Sequence, residues 1–187
     1  MSMTCDIELQ TARLIARPPT LSDAAALFAL MKSAKLTEFL AWAPHQNIEE
    51  TQAVVASLLD SQRQAKAYHW VIIREREIVG LVSLINVVRQ HRTWQLQRAE
   101  LSYWLGDRFQ NLGYATEISR AVIQFAFQHL MLNKLIVAHE QTNFASQKVI
   151  EKLGFKHYAL ERQAFHKNGN WHNLRWYDLL ASEISYE

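Results

Sequence analysis

The chain predicts an α/β (α+β) fold with a mixed, mostly antiparallel central sheet of about seven strands flanked by about four helices. Three observations carry this. The apolar spacing switches between helical and alternating periods in the order strand, two helices, three strands, helix, strand, helix, two strands. That order lacks the regular strand–helix alternation of a doubly wound sheet. No Pro/Gly/Ser-rich linker, low-complexity tract or internal repeat divides the 187 residues, so residues 1–187 are expected to form one domain.

Residues 7–17, with Ile7, Leu9, Leu14 and Ile15, read as an edge strand or extended arm that ends at Pro18 and Pro19. Thr20 followed by Asp23 resembles a capping box and opens a helix carrying Leu27, Phe28, Leu30 and Met31. Asn47, with Glu50 three residues on, opens a second helix that presents Val54, Val55, Leu58 and Leu59 on one face. From Tyr68 the pattern turns to β: YHWVIIRE, a turn near Glu75–Glu77, IVGLVSLINVV paired with it as a hairpin, then RAELSYWL. A long helix fits residues 114–130 and the strand KLIVAHE follows. A shorter helix runs from about Phe144 to Gly154, which suits the left-handed position after a helix end. Two closing strands flank HKNGN, whose Asn-Gly pair favours a tight hairpin.

Composition excludes several classes of function. Hydrophobic residues are 49% of the chain and charged residues 20%, enough apolar surface to build a core and too little charge for a disordered chain. Lys plus Arg total 20 against 18 for Asp plus Glu, and a formal charge of +2 provides no field for a polyanion, so no direct nucleic-acid partner is expected. The single cysteine, Cys5, allows no internal disulfide and no multi-thiolate metal site. No apolar run is long enough to span a bilayer, and the N-terminus has no basic-then-apolar signal, so the expected location is cytoplasmic, without a membrane partner.

The stretch richest in chemistry is LSYWLGDRFQNLGYA, residues 101–115. A strand, a glycine-containing loop and a helix start together present several free backbone N–H groups to one anion, with the positive end of the helix dipole behind them. Phosphates are the obvious ligands. The spacing is neither that of a nucleoside-triphosphate loop nor the GxGxxG of dinucleotide binders, and by itself it also fits a plain helix entry with a turn glycine. A second block, NFASQKVIEKLGF at residues 143–155, begins at another strand-to-helix junction.

Together these blocks resemble the GNAT superfamily of acetyltransferases, which use acetyl-coenzyme A. AELSYWLGDRFQNLGYATE resembles the strand and pyrophosphate loop of that superfamily, and NFASQKVIEKLGF its second conserved helix. TARLIARPPTLSD near the start and KNGNWHNLRWYDLL near the end resemble the RimJ/RimL branch, the ribosomal-protein N-terminal acetyltransferases. The resemblance covers residues 8–180.

It implies that main-chain groups of Tyr103 and Leu105 pair with the pantetheine arm, and that N–H groups of Asn111, Leu112, Gly113, Tyr114 and Ala115 hold the pyrophosphate. Gln110 stands where the superfamily has Gln or Arg. Asn143 is expected near the pantetheine arm, a place compatible with service as a helix N-cap. Transfer to an amine requires a route for the amine's proton, an oxyanion donor and a proton for the departing thiolate. An α-amine with a pKa near 8 is roughly a tenth neutral at pH 7, whereas a lysine amine is less than about a thousandth neutral, so an α-amine needs less help from a base.

Glu100 shares a strand face with Ser102 and Trp104 and is the candidate base, against the simpler reading of a strand-end carboxylate paired with Arg98 or a lysine. Ser146 matches the serine that the branch carries after its conserved asparagine and is assigned as proton donor to the thiolate. Much of the superfamily uses a tyrosine further along that helix, where this chain has Lys148, Val149 and Ile150. The segment around Pro44 lines the acceptor site in the superfamily, which makes Phe39, Trp42 and His45 candidates for substrate binding.

Other features carry less. His166 and His172 flank the last hairpin turn but lack metal-ligand spacing, so no metal is expected. An acyl-cysteine route through Cys5, near the N-terminus, would need a positioned histidine beside it and is not expected. Arg89, His91 and Arg92 form a basic cluster read as a solvated loop between two strands. The expected activity is acetyl-CoA-dependent acetylation of the N-terminal α-amine of a protein, such as a ribosomal protein, by direct attack in a ternary complex, in a monomer or homodimer. The alternatives are a small amine acceptor (amino acid, polyamine or aminoglycoside) and a non-catalytic acetyl-CoA-binding module. LTEFLAWAPHQNI, residues 36–48, offers Glu38 alone as a carboxylate, which favours a peptide over a polycation.

Overall fold

The computed structural model describes residues 7–184. Eight strands form one sheet in the order β1-β2-β3-β4-β5-β6-β8-β7. Every neighbouring pair is antiparallel except β5 (Trp94–Leu105) with β6 (Lys134–Glu140). The mixed, mostly antiparallel sheet is therefore as expected, with one strand more than the sequence indicated. Residues 7–17 account for it. Thr11 accepts from Leu14 N–H through its side chain and closes a turn, so the arm becomes two short strands, β1 (Leu9–Gln10) and β2 (Ile15–Arg17).

The first two helices form where their caps predict. Asp23 accepts from the Thr20 N–H at 2.7 Å and pairs with Arg17, and a 3-10 turn there leads into α1 (Ala24–Met31). A short helix, α2 (Ala34–Thr37), follows where the sequence showed no signal. Its N-cap Ser33 accepts from Leu36 N–H and donates to Asp107. Asn47 caps α3 (Ile48–Arg63) by accepting from Glu50 N–H.

The hairpin of β3 (Tyr68–Arg74) and β4 (Glu77–His91) turns at Glu75 and Arg76, both left-handed, which matches the right-handed twist of the strands. β4 is longer than expected, so Arg89 and His91 lie within the strand and Arg92 in its turn, which corrects the reading of a loop cluster. α4 (Tyr114–Gln128) crosses from β5 to β6, and α5 (Phe144–Lys152) ends at Gly154, whose φ of +87° is the expected left-handed cap. β7 (Lys156–Lys167) and β8 (Asn170–Leu180) close the chain through Asn168 and Gly169, both at positive φ.

Period-2 alternation divides the sheet between two cores. Trp70, Ile72, Leu101, Leu135 and Val137 face α4 and α5, while Val71, Leu81 and Trp104 face α1 and α3. The α1 and α3 layer packs on β3 and β4. His69, 3% exposed, locks α3 to the sheet: its ring nitrogens bond Ser61 and Ser83, and its N–H donates to the Gln62 side chain. Cys5 lies outside the described residues. Among the described residues no helix is long and apolar enough to cross a membrane.

Burial pushes the His69 imidazole down to about 4 from 6.5. Below pH 6.5 the unfolded chain therefore takes up a proton that the fold refuses, so stability is full above 6.5 and drains as pH falls towards 4. At pH 5 this group alone is expected to cost about 2 kcal/mol relative to pH 7. Urea midpoints at the two pH values measure it, and His69→Gln is expected to flatten the dependence.

Candidate active site

The cleft begins where β5 and β6 part. Their parallel pairing is confined to Arg98↔Lys134, Ala99↔Leu135 and Glu100↔Ile136. Both strands then continue, β5 to Leu105 and β6 to Glu140, with no ladder between them. The opening is a cleft of about 460 Å³, lined by both strand edges, the start of α4, one side of α5 and the segment after α2. Strand edges released from a sheet keep their N–H and C=O groups, which favours an extended ligand that completes the pairing.

At the outer end, β5 passes through a 3-10 turn (Asp107–Phe109) into a loop shaped by Asn111 (φ +62°) and Gly113 (φ +81°). The first turn of α4 then opens on the cleft with N–H groups that no helix carbonyl satisfies. Gln110 closes the loop from within by donating to the Leu105 carbonyl at 3.1 Å. The outside is braced by the N-terminal segment: Arg13 donates to the Leu112 carbonyl and pairs with Glu117, and its guanidinium lies 4.7 Å from the Tyr114 ring centre. Burial raises the Glu117 carboxyl, but hydrogen bonds from Thr11 and Arg13 outweigh it and hold the group below its ordinary value. Sequence reasoning treated residues 7–17 as an arm and missed this brace, whose two halves lie far apart in the chain.

The candidate residues mostly converge. Glu100, Tyr103, Leu105, Gln110, Asn111, Gly113, Tyr114, Ala115, Asn143 and Ser146 line the cleft, as does Phe39. Leu112 is exposed and outside the lining. Trp42 and His45 are also outside it. Trp42, half-buried, packs on Trp104 at 6.0 Å against the core between α1, α3 and the sheet, and His45 is buried with Nδ1 2.7 Å from Thr51.

Strand alternation sets two faces within the cleft. Tyr103 points to the α5 side, where its hydroxyl lies 3.0 Å from Ser146 Oγ. Burial pushes the phenol up to about 12, against a smaller opposing effect of the serine, so it remains protonated at neutral pH. The sequence assigned Tyr103 through its main chain alone; the side-chain contact spans two elements and left no local signal. Asn143 Oδ1 accepts from the Ser146 N–H, the N-cap role anticipated for it, and its NH2 makes no bond among the described residues.

The other face carries Glu100. Its carboxylate accepts from Asn86 Nδ2 at 2.9 Å, so its partner is an amide and not Arg98 or a lysine. Asn86 reaches it because a bulge in β4 holds Asn86 at φ +51°. By the Glu100↔Ile136 register, Glu140 lies on this same face. It is 6% exposed, lines the cleft and accepts from Thr142 N–H and Oγ, with His172 Nδ1 3.4 Å away. Burial raises its carboxyl, yet these donors outweigh it and leave the group below its ordinary value. His172 stacks on Phe165, whereas His166 packs on Trp171, so the two histidines occupy opposite faces of the hairpin and do not meet. Among the described residues no group of three or more His, Cys, Asp or Glu side chains is placed to hold a metal ion.

Similarity to known proteins follows this geometry. Residues 13–156 match the Acetyltransferase (GNAT) domain. The uncharacterized N-acetyltransferase YoaA of Bacillus subtilis is 25% identical over 174 residues, which cover 92% of this chain and 96% of YoaA. The ribosomal-protein-serine acetyltransferase of Escherichia coli is 24% identical, with 71% of each chain covered. Among solved structures, Mycobacterium smegmatis RimJ in complex with CoA-disulfide superposes with a TM-score of 0.90 at 19% identity, covering 100% of this chain and 93% of that one. With the domain match spanning most of the sequence and the splayed strands leading into the α4 loop, this chain belongs to the GNAT family of acetyltransferases.

Proposed function

We propose that the protein transfers the acetyl group of acetyl-CoA to the N-terminal α-amine of a protein, with ribosomal proteins as the leading class, by direct attack in a ternary complex. The observation that carries the cofactor half is the run of β5 beyond Glu100 whose β6-side edge has no ladder, followed through the 106–113 loop by the first turn of α4. These residues fit the group. Main-chain groups of Tyr103 and Leu105 offer an edge to the pantetheine amides. The N–H groups from Asn111 to Ala115, at the positive end of α4, offer donors to the pyrophosphate. The free NH2 of Asn143 offers one more near the thioester. Acetyl-CoA, when bound, supplies the acetyl thioester.

Glu100 lines the opposite face and takes the proton of the acceptor amine, directly or through a water. Ser146 donates to the departing thiolate and is reprotonated from solvent, to which Glu100 returns the amine proton; the Tyr103 hydroxyl, 3.0 Å from Ser146 Oγ, orients the serine. No side chain in this scheme carries the acetyl group. Similarity to the ribosomal-protein-serine acetyltransferase of Escherichia coli supports a ribosomal-protein acceptor.

A second reading has its own support. Glu38, Glu100 and Glu140 all line the cleft, two more carboxylates than residues 36–48 alone offered. A carboxylate-lined pocket suits a small cationic amine. Turnover decides between them: thiol release measured with peptides beginning in Ser, Ala or Met against spermidine and an aminoglycoside. Peptide preference upholds the first reading, polyamine preference the second, and release at background with every acceptor leaves a binding module.

Gly113→Asp is expected to abolish acetyl-CoA binding in a folded protein, because its left-handed φ strains any other residue and the carboxylate repels phosphate. Calorimetric titration measures it, and unchanged affinity removes the α4 loop from the site. Ser146→Ala is expected to lower kcat by about 10²-fold or more with acetyl-CoA affinity kept. Normal turnover would sink the acid assignment. Glu100→Gln is expected to move the rate profile to higher pH, where more acceptor is already neutral; a profile identical to wild type excludes Glu100 as base.

A further inference from the structure

We propose that Lys167 is a positioning residue for the acceptor amine: it clamps the segment after α2 into the wall of the cleft and so sets acceptor affinity without touching acceptor or cofactor. The inference rests on the acetyltransferase reading above and concerns a residue that lies at the far end of the β7–β8 hairpin.

The Lys167 ammonium donates to the carbonyls of Thr37, Leu40 and Trp42, the Leu40 bond measuring 2.6 Å. An ammonium has three protons, and here each meets a carbonyl of a single irregular stretch. That stretch supplies Glu38, Phe39 and Leu40 to the cleft. Between α2 and α3 it has no strand or helix ladder of its own; Leu40 N–H turns back to the Thr37 carbonyl, and Lys167 adds a charged donor there and supplies one to the Leu40 and Trp42 carbonyls. Charge-assisted bonds of this kind are the strong ones, and they act on the backbone that aims the side chains.

The hairpin is bent to deliver this lysine. The β7–β8 register shifts between Glu161 and Phe165, Gln163 sits at φ +51°, and Asn173 Oδ1 accepts the Gln163 N–H at 2.8 Å in place of a ladder carbonyl. Such a bulge bends its strand and increases the local twist. Beyond it the pairing resumes through Phe165↔His172 to Lys167↔Asn170, so the tip is ordered where Lys167 leaves it. The helix that leads into this stretch, α2, is pinned separately at its N-cap, by Ser33 Oγ donating to Asp107 at 2.6 Å. The acceptor wall is thus tied at one end to the exit of β5, beside the α4 loop, and at the other to the last hairpin. Lys167 alone among these ties can be removed without disturbing the residues placed around the cofactor.

The test compares wild type with Lys167→Met, which keeps the length of the side chain and loses the charge. Three readouts separate a positioning role from a purely structural one. Steady-state kinetics with the best acceptor among Ser-, Ala- and Met-initiated peptides and spermidine is expected to give an acceptor KM raised by about tenfold or more with kcat within about threefold. Calorimetric titration is expected to give an acetyl-CoA affinity unchanged within about twofold. Amide exchange is expected to speed up at residues 37–42 and to stay unchanged in β6 and α5. An acceptor KM within about twofold of wild type overturns the proposal, as does an equal loss of acetyl-CoA affinity, which would make the effect a general loosening. Exchange needs no acceptor: unchanged protection at residues 37–42 overturns the clamp even if wild type turns over no acceptor, a result that by itself would strike the proposed function instead. Should the Met variant fail to fold, Lys167→Gln, which keeps one donor group, goes through the same three measurements.

Discussion

Everything in the cleft depends on the brevity of one pairing. β5 and β6 are parallel and share a ladder at three positions before they part. A parallel pair needs a crossover, and α4 is that crossover, so the helix begins where β5 ends and points its N-terminus at the gap the parting strands create. Strand edges that have lost a partner and helix N–H groups that never had one are two kinds of unsatisfied donor. The fold sets them in line, and an extended molecule with amides at one end and a diphosphate at the other satisfies both. The remaining elements hold this arrangement. Arg13 and Glu117 brace the loop from outside, Gln110 from inside, and the antiparallel strands on either side fix the positions of β5 and β6.

Strand alternation then assigns chemistry to sides. Odd positions of β5 place Tyr103 against Ser146 on α5, and even positions place Glu100 on the opposite face with Glu140 of β6. A hydroxyl pair whose phenol is pushed up to about 12 stays neutral and offers hydrogen-bond donors without adding a negative charge. Glu140, whose hydrogen bonds hold its carboxyl below its ordinary value, is suited to receiving a cation. The lysines that line the cleft on α5, Lys148 and Lys152, come from the Ser146 element, four residues apart and hence on one helix face. Anionic ligand groups are favoured on that side and cationic ones on the other. One strand therefore divides the cleft lining into a lysine-bearing side and a carboxylate-bearing side, joined by the gap beside it.

Local signals made this much of the site legible. Gly113 before a helical pattern, Asn143 as an N-cap and the alternation of Glu100, Ser102 and Trp104 each have a cause within a few residues, and each stands where the sequence put it. The partners of those residues were not legible. Asn86 reaches Glu100 only through a bulge, Tyr103 meets Ser146 across the cleft, and Glu140 joins His172 from a strand far along the chain. Trp42 and His45 show the converse. Their placement beside Pro44 pointed to an acceptor wall, but an indole has more to gain by filling the gap beside Trp104 than by facing water, and the chain turns it inwards. Phe39, in the same segment, is left to the cleft.

Bulges complete the logic, because they put polar groups where regular strands would not. A continuous β4–β5 ladder would keep Asn86 in register, with its side chain on the sheet face opposite to that of its neighbour Ile85, the residue paired with Glu100. The left-handed residue breaks the alternation and turns the amide to the carboxylate. A straight β7–β8 hairpin would likewise continue along the sheet, whereas the irregularity at Gln163 lets its tip meet the stretch after α2. Both irregularities act on the side proposed for the acceptor, while the side proposed for the cofactor combines strand edges, a loop with left-handed Asn111 and Gly113, and a helix start. On both sides of the cleft, the groups that regular strands and helices could not present are delivered by single residues that leave the sheet's own geometry.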